Sequence, residues 1–183
     1  MTFEPTAIPG CLQVRSRLFE DERGSFLKLF TDPAFADAGL ACDWQEVYTS
    51  TSRRGVIRGM HFQLPPADHD KLVFCLDGEV LDVVLDLRVG SPTERQAVAV
   101  TLTGAAGTGL FIPRGCAHGF LGVSETSSML YLVTSAYAPE QDRGVRWDSF
   151  GFDWPTDRPI VSERDRDHPA LADFASPFRF ALP

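Results

Sequence analysis

The chain is poor in several features that would each point to a function, and what is missing narrows the field. Its four cysteines, Cys11, Cys42, Cys75 and Cys116, include no C-x-x-C pair, which argues against a zinc site or a redox couple. Cys75, set in an apolar stretch, reads as a small buried hydrophobe. Positive charge is in deficit: the formal net charge is -8, so no general attraction to nucleic acid or to an anionic membrane is expected, although a local basic cluster can still hold one phosphorylated small molecule. No stretch approaches the roughly 18 apolar residues of a membrane span, and Met1 to Gly10 shows no basic segment leading into an apolar run. The expectation is a soluble, cytoplasmic protein with neither a nucleic-acid nor a membrane partner.

Long helical patterns are equally scarce. The sequence has 13 prolines and 15 glycines in 183 residues that are 44% hydrophobic. That is enough chain for one filled core and rather short for two, so a single domain over 1–183 is expected, and its frequent breaks favour an all-β fold. Apolar, strand-like segments run over Leu12 to Phe19, Ser25 to Phe30, Trp44 to Thr51 and Val56 to Gln63, with a short helix near Pro33 to Ala38. Lys71 to Leu76 and Glu79 to Leu87 flank Asp77-Gly78, a dipeptide suited to a two-residue hairpin turn. Gln96 to Leu102, Gly109 to Pro113, His118 to Val123 and Met129 to Ser135 continue the series, and Gly104 to Gly107 form a flexible turn. Short strands at this even spacing predict a jelly roll or barrel able to hold one ligand. Beyond Tyr137 the chain turns to loops rich in Pro, Asp and Arg, with a short helix near Ala170 to Phe174, and this tail is expected to cover one barrel mouth.

Two histidines carry the chemical signal: His61, in Arg58-Gly59-Met60-His61-Phe62-Gln63, and His118, in Pro113-Arg114-Gly115-Cys116-Ala117-His118-Gly119-Phe120, with Tyr131 on a later strand. Pro113-x-Gly115-x-x-His118 resembles the second half of the cupin signature, whose turn aims a histidine into the barrel. Metal-dependent cupins add a His-x-His pair and a glutamate from the earlier motif. Here only His61 stands there, followed by Phe62 and Gln63, with no carboxylate in register, so no catalytic metal is expected.

A longer series of motifs is more specific: Asp21-Glu22-Arg23-Gly24, Arg58 to Gln63, Asp70-Lys71-Leu72-Val73, Gly78 to Val83, Asp86-Leu87-Arg88, Ser91-Pro92-Thr93, Ile112 to Phe120, Leu130-Tyr131 and Ser162-Glu163-Arg164-Asp165. In order and spacing the chain resembles the dTDP-4-dehydrorhamnose 3,5-epimerases over about residues 3 to 174. The resemblance implies a cupin-type jelly roll that inverts C3 and/or C5 of a nucleotide-linked 4-keto-6-deoxyhexose, in deoxysugar biosynthesis, with no cofactor and no metal. Both carbons flank the ketone, so a base can remove a proton to leave an enolate that is reprotonated on the other face. This needs a base, an acid across the ring and a cation or donor near the enolate oxygen.

By the same resemblance His61 is the base, Asp165 its carboxylate partner and Tyr131 the acid. Lys71 and His118 match positions around the ketone oxygen. Arg23 and Arg58 match contacts to diphosphate or sugar, where a guanidinium fork suits phosphate oxygens. Tyr137 matches the aromatic stacked on the base, while Asp142 and Arg164 match residues lining the ligand. Three positions depart from the family pattern: Lys28 in place of a glutamate, Glu46 in place of a glutamine and Tyr48 in place of an asparagine. They leave room for a CDP- or GDP-linked sugar. Taken singly, His61 would be a satisfied core histidine, Tyr131 a core aromatic and Lys71 and Asp165 surface charges; it is their joint occurrence in family order that reverses those readings. Readings from other classes are a metal-dependent cupin oxygenase, which needs further ligands near His61 and His118, and a non-catalytic sugar-binding cupin, which can dispense with His61, Asp165 and Tyr131. The resemblance also implies a homodimer in which N-terminal strands join the neighbour's sheet, a use that Leu12 to Phe19 suits.

Overall fold

The computed structural model describes residues 1–40 and 43–181, so Cys42 lies outside the described residues. The strands are β1 (Thr2–Pro5), β2 (Leu12–Arg15), β3 (Leu18–Asp21), β4 (Gly24–Leu27), β5 (Glu46–Arg53), β6 (Val56–Gln63) and β7 (Lys71–Asp77). They continue with β8 (Glu79–Asp86), β9 (Ala97–Thr103), β10 (Thr108–Ile112), β11 (Cys116–Gly122), β12 (Thr126–Val133), β13 (Asp142–Gly144) and β14 (Ile160–Val161). Helix α1 (Asp32–Asp37) precedes β5, and the one-turn helix α2 (Glu163–Arg166) follows β14. One sheet has the order β1-β2-β10-β7-β12-β5 and the other β13-β6-β11-β8-β9, with β14 added in parallel to β6, while β3 and β4 form a separate ribbon. Two antiparallel sheets connected in this way make the expected jelly roll.

Side chains alternate across the strands, and each sheet therefore has two apolar faces. Val73, Cys75, Leu110, Ile112 and Met129 of the first sheet meet Val80, Val84, Leu102 and Phe120 of the second in the core between them. Leu72, Phe74, Phe111 and Leu132 point the other way and are covered by Phe35 of α1 together with Phe30 and Trp44. On the far side of the second sheet, Ile57, Val83, Leu85 and Leu121 pack against Val145, Trp154, Leu171 and Phe178 of the tail. The apolar residues of the tail thus lie over an outer sheet face, where they bury aromatic area, while its Asp142 and Arg164 reach the cavity between the sheets.

The expected hairpin at Asp77-Gly78 is not one. Both edges of β7 are already taken, by β10 and β12, and β8 pairs with β9 and β11. Gly78, at φ 73°, carries the chain from one sheet to the other. A turn dipeptide reports a reversal, and only the competition for strand edges decides what the reversal joins. The expected strand Leu12 to Phe19 divides at Ser16, whose N–H goes to Gly107 O at 2.9 Å, and its second part forms the β3–β4 ribbon. The strands β1, β13 and β14 and the helix α2 were not expected; each is too short for a period to show.

Candidate active site

The strand β6 delivers His61, and α2 delivers its partner. Ser162 is the N-cap of α2, its Oγ accepting the N–H of Asp165 at 3.1 Å. Ser162-Glu163-Arg164-Asp165 is thus a helix-start signal that fixes Asp165 in the first turn. One Asp165 oxygen lies 2.7 Å from His61 Nε2 and the other accepts the N–H of Gly59 at 3.2 Å. Glycine is required at 59: it sits at φ 140°, and a Cβ there would stand 2.6 Å from the Cα of Gly119. The backbones of β6 and β11 therefore approach closely beside the bulge between His118 and Phe120. Burial pushes the Asp165 carboxyl up, but the His61 hydrogen bond and charge and the Gly59 N–H together hold it below the usual carboxylate range. An ionised carboxylate can only accept, so the proton of neutral His61 is on Nε2 and Nδ1 keeps its lone pair.

His118 pairs with His61 across β6 and β11, yet it has its own carboxylate: its Nε2 lies 2.8 and 3.0 Å from the two oxygens of fully buried Asp82. Burial lowers the pKa of His118 against the opposing pull of Asp82. Lys71 opens β7 and is 8% exposed; burial lowers its pKa to about 8, with Asp82 and Asp142 acting the other way. Tyr131 comes from the first sheet, opposite His61. Its hydroxyl is 2.9 Å from Ser50 Oγ, and burial raises its pKa above the ordinary phenol value although the Ser50 bond opposes this.

His61, His118, Lys71 and Tyr131 line one cavity of about 390 Å³ between the sheets, with Arg58, Glu46, Tyr48, Tyr137, Asp142 and Arg164 also in its wall. Arg164 pairs with Asp142 at 2.6 Å, and Arg58 reaches Ser52 Oγ at 2.9 Å. Two of the family departures are engaged within the chain. Glu46 accepts the N–H of Tyr137 at 2.9 Å, and Tyr48 stacks on Tyr131 with ring centres 4.8 Å apart. Arg23 and Lys28 are not brought to this cavity. Arg23 lies at the tip of the β3–β4 ribbon, bound to Asp21, and Lys28 lies just past it in a depression with Phe19 and Phe26.

Other residues at the site carry no role in the sequence reading. Asp82 was visible only as an acid in an apolar strand. His69, whose pKa burial, Lys71 and Arg114 lower to about 3, joins Gln63 and Ser135 in the cavity wall. His168 approaches the His61–Asp165 pair, with its Nε2 3.8 Å from Asp165. The carboxylate missing from the first motif is thus supplied by a segment about a hundred residues later, which spacing within the motif cannot reveal.

The family model for dTDP-4-dehydrorhamnose 3,5-epimerase matches residues 5–173. The chain belongs to that family. As a member it is an epimerase, of the isomerase class. It is 41% identical over 171 residues to the dTDP-4-dehydrorhamnose 3,5-epimerase of Pseudomonas aeruginosa, which covers 91% of this chain and 94% of the relative. The crystal structure of the Legionella pneumophila epimerase RmlC in complex with dTDP-4-keto-L-rhamnose superposes with a TM-score of 0.94 at 30% identity, covering 99% of each chain. ChmJ, a 3'-monoepimerase from Streptomyces bikiniensis solved with dTDP-quinovose, gives a TM-score of 0.88 at 31% identity, over 92% of this chain and 87% of that one. Among the described residues, no helix is long and apolar enough to cross a membrane.

Proposed function

We propose that the chain, acting as one catalytic unit over 1–183 in the cytoplasm, epimerises a dTDP-linked 4-keto-6-deoxyhexose at C3, C5 or both. The observation that carries this is the placing of the His61–Asp165 pair and of Tyr131 on opposite sheets across one cavity, with Lys71 buried in its wall. His61 Nδ1 removes the proton beside the ketone, and the imidazolium so formed is held by Asp165 through Nε2–H. Lys71 and the His118–Asp82 pair stabilise the enolate oxygen. Tyr131, a phenol kept protonated by its burial, returns a proton from the other face.

Arg58, Tyr137, Asp142 and Arg164 bind the nucleotide and sugar. Glu46 accepts the Tyr137 N–H with one oxygen and Tyr48 stacks on Tyr131, so both departures also serve contacts within the chain. The ligand of the Legionella relative supports dTDP as the nucleotide. Arg23 and Lys28 are assigned to the cavity of a second copy, reached by the exposed β3–β4 ribbon of a homodimer.

The test is proton NMR of dTDP-4-keto-6-deoxyglucose in D2O with protein freed of metal. Loss of the C3 or C5 proton signal is expected with wild type and not with His61→Asn, whose rate should fall at least about 10²-fold; full exchange in that variant removes His61 as base. Tyr131→Phe should still exchange protons but no longer invert, whereas equal loss of both reassigns Tyr131 to binding.

A further inference from the structure

We infer that His61, Asp165 and His168 together bind one divalent transition-metal ion, with zinc the best fit, and that its binding switches the base off. The second half rests on the reading of His61 as the base. One ligand atom from each residue lies within 4.8 Å of the others. The spacing of Asp165 and His168, three residues apart at the end of α2, turns both toward the same strand, where His61 faces them. His168 Nε2 is enclosed and, among the described residues, has no hydrogen-bond partner. It stands 3.8 Å from Asp165 Oδ1, beyond hydrogen-bond reach and near the separation of about 3.4 Å that two ligands take around a tetrahedral ion with bonds near 2.1 Å. A buried polar atom without a partner is destabilising, and an ion would satisfy it. The ring packs closely over Gly144, whose lack of a side chain makes room for it: a Cβ there would stand 2.4 Å from the ring.

Two imidazoles and one carboxylate suit zinc, nickel or cobalt, whereas magnesium and calcium prefer oxygen alone. Binding of an ion at His61 Nε2 takes the lone pair there and displaces the proton that this nitrogen gives to Asp165. Neutral imidazole must then carry its proton on Nδ1, the nitrogen that removes the substrate's proton. The base is lost through a change of tautomer, with no change in fold.

Calorimetric titration of chelator-stripped protein with zinc chloride, alongside initial rates of epimerisation, tests this. Wild type should take up one zinc per chain, lose activity in step and recover it with EDTA, while magnesium chloride does neither. His168→Ala and His168→Asn should turn over near the wild-type rate without metal yet bind zinc more than about tenfold more weakly, since loss of even an outer-shell partner usually costs 10–100-fold. Unchanged zinc affinity in both variants overturns the site. Zinc bound with His168 dependence but with full turnover overturns the switch. If stripped wild type shows no turnover at all, the epimerase reading fails, and the calorimetric comparison still decides the site.

Discussion

Each of the proposed catalytic side chains draws its chemistry from one or two neighbours. Asp165→Asn keeps the shape but offers His61 an amide that can donate, favouring the tautomer with the proton on Nδ1. The analogous change in a Ser-His-Asp triad costs about 10⁴-fold in kcat, and a loss of about 10³-fold or more is expected here in steady-state assays, with the melting temperature little changed. Lys71 shows function set against stability. Its pKa is lowered from 10.5 to about 8, so its buried charge costs up to about 3 kcal/mol in neutral solution. Between pH 8 and 10.5 the unfolded chain binds a proton that the folded chain has released, so this group's contribution to stability rises with pH across that window while activity falls as the enolate loses its cation. Lys71→Met should therefore melt higher than wild type at pH 7 and lose about 10²–10³-fold in kcat, read by thermal denaturation and by NMR rates. A variant that melts lower would show the ammonium to be well compensated in the fold.

Among the elements, the shortest ones hold the site. The single turn of α2 depends on Ser162, and Ser162→Ala should cost about 1 kcal/mol of stability while lowering kcat more than KM changes, because Asp165 loses its fixed approach to His61. Chemical denaturation and steady-state kinetics separate the two effects. Gly59→Ala should be far more damaging, since a Cβ at φ 140° meets the backbone of Gly119; a loss above about 2 kcal/mol is expected. The long strands were legible because they are apolar runs of strand length, as in Val56–Gln63 and Glu79–Asp86, set between turn residues. What was illegible is of two kinds. Elements of two to four residues, such as β13, β14 and α2, show no period, and the turn at Asp77-Gly78 looks the same whether it joins two strands of one sheet or crosses between two.

For the molecule as a whole, the loose end is the ribbon. Phe19 and Phe26 are 49% and 61% exposed on it, next to Arg23 and Lys28, which the family resemblance assigns to substrate. Sedimentation equilibrium should give twice the chain mass of 20.2 kDa. Phe26→Asp should shift the protein toward monomer and weaken nucleotide-sugar binding together, because one surface serves both; a monomeric wild type that binds substrate normally would leave Arg23 and Lys28 without a role.

The sequence by itself pointed to the all-β architecture, since its proline and glycine breaks leave short apolar segments of strand length and no long helical pattern. It also marked His61, Lys71, Tyr131 and Asp165 as the candidate acid-base set, through their joint occurrence in the order of the family's motifs. The tertiary structure alone decided how these meet. It set Tyr131 opposite His61, gave His118 a carboxylate of its own, turned Glu46 and Tyr48 onto Tyr137 and Tyr131, kept Arg23 and Lys28 out of the cavity, and brought His168 to the His61–Asp165 pair. These are contacts between residues tens of positions apart, fixed by which strand edges pair and which faces pack. Local composition and period carry no record of that competition.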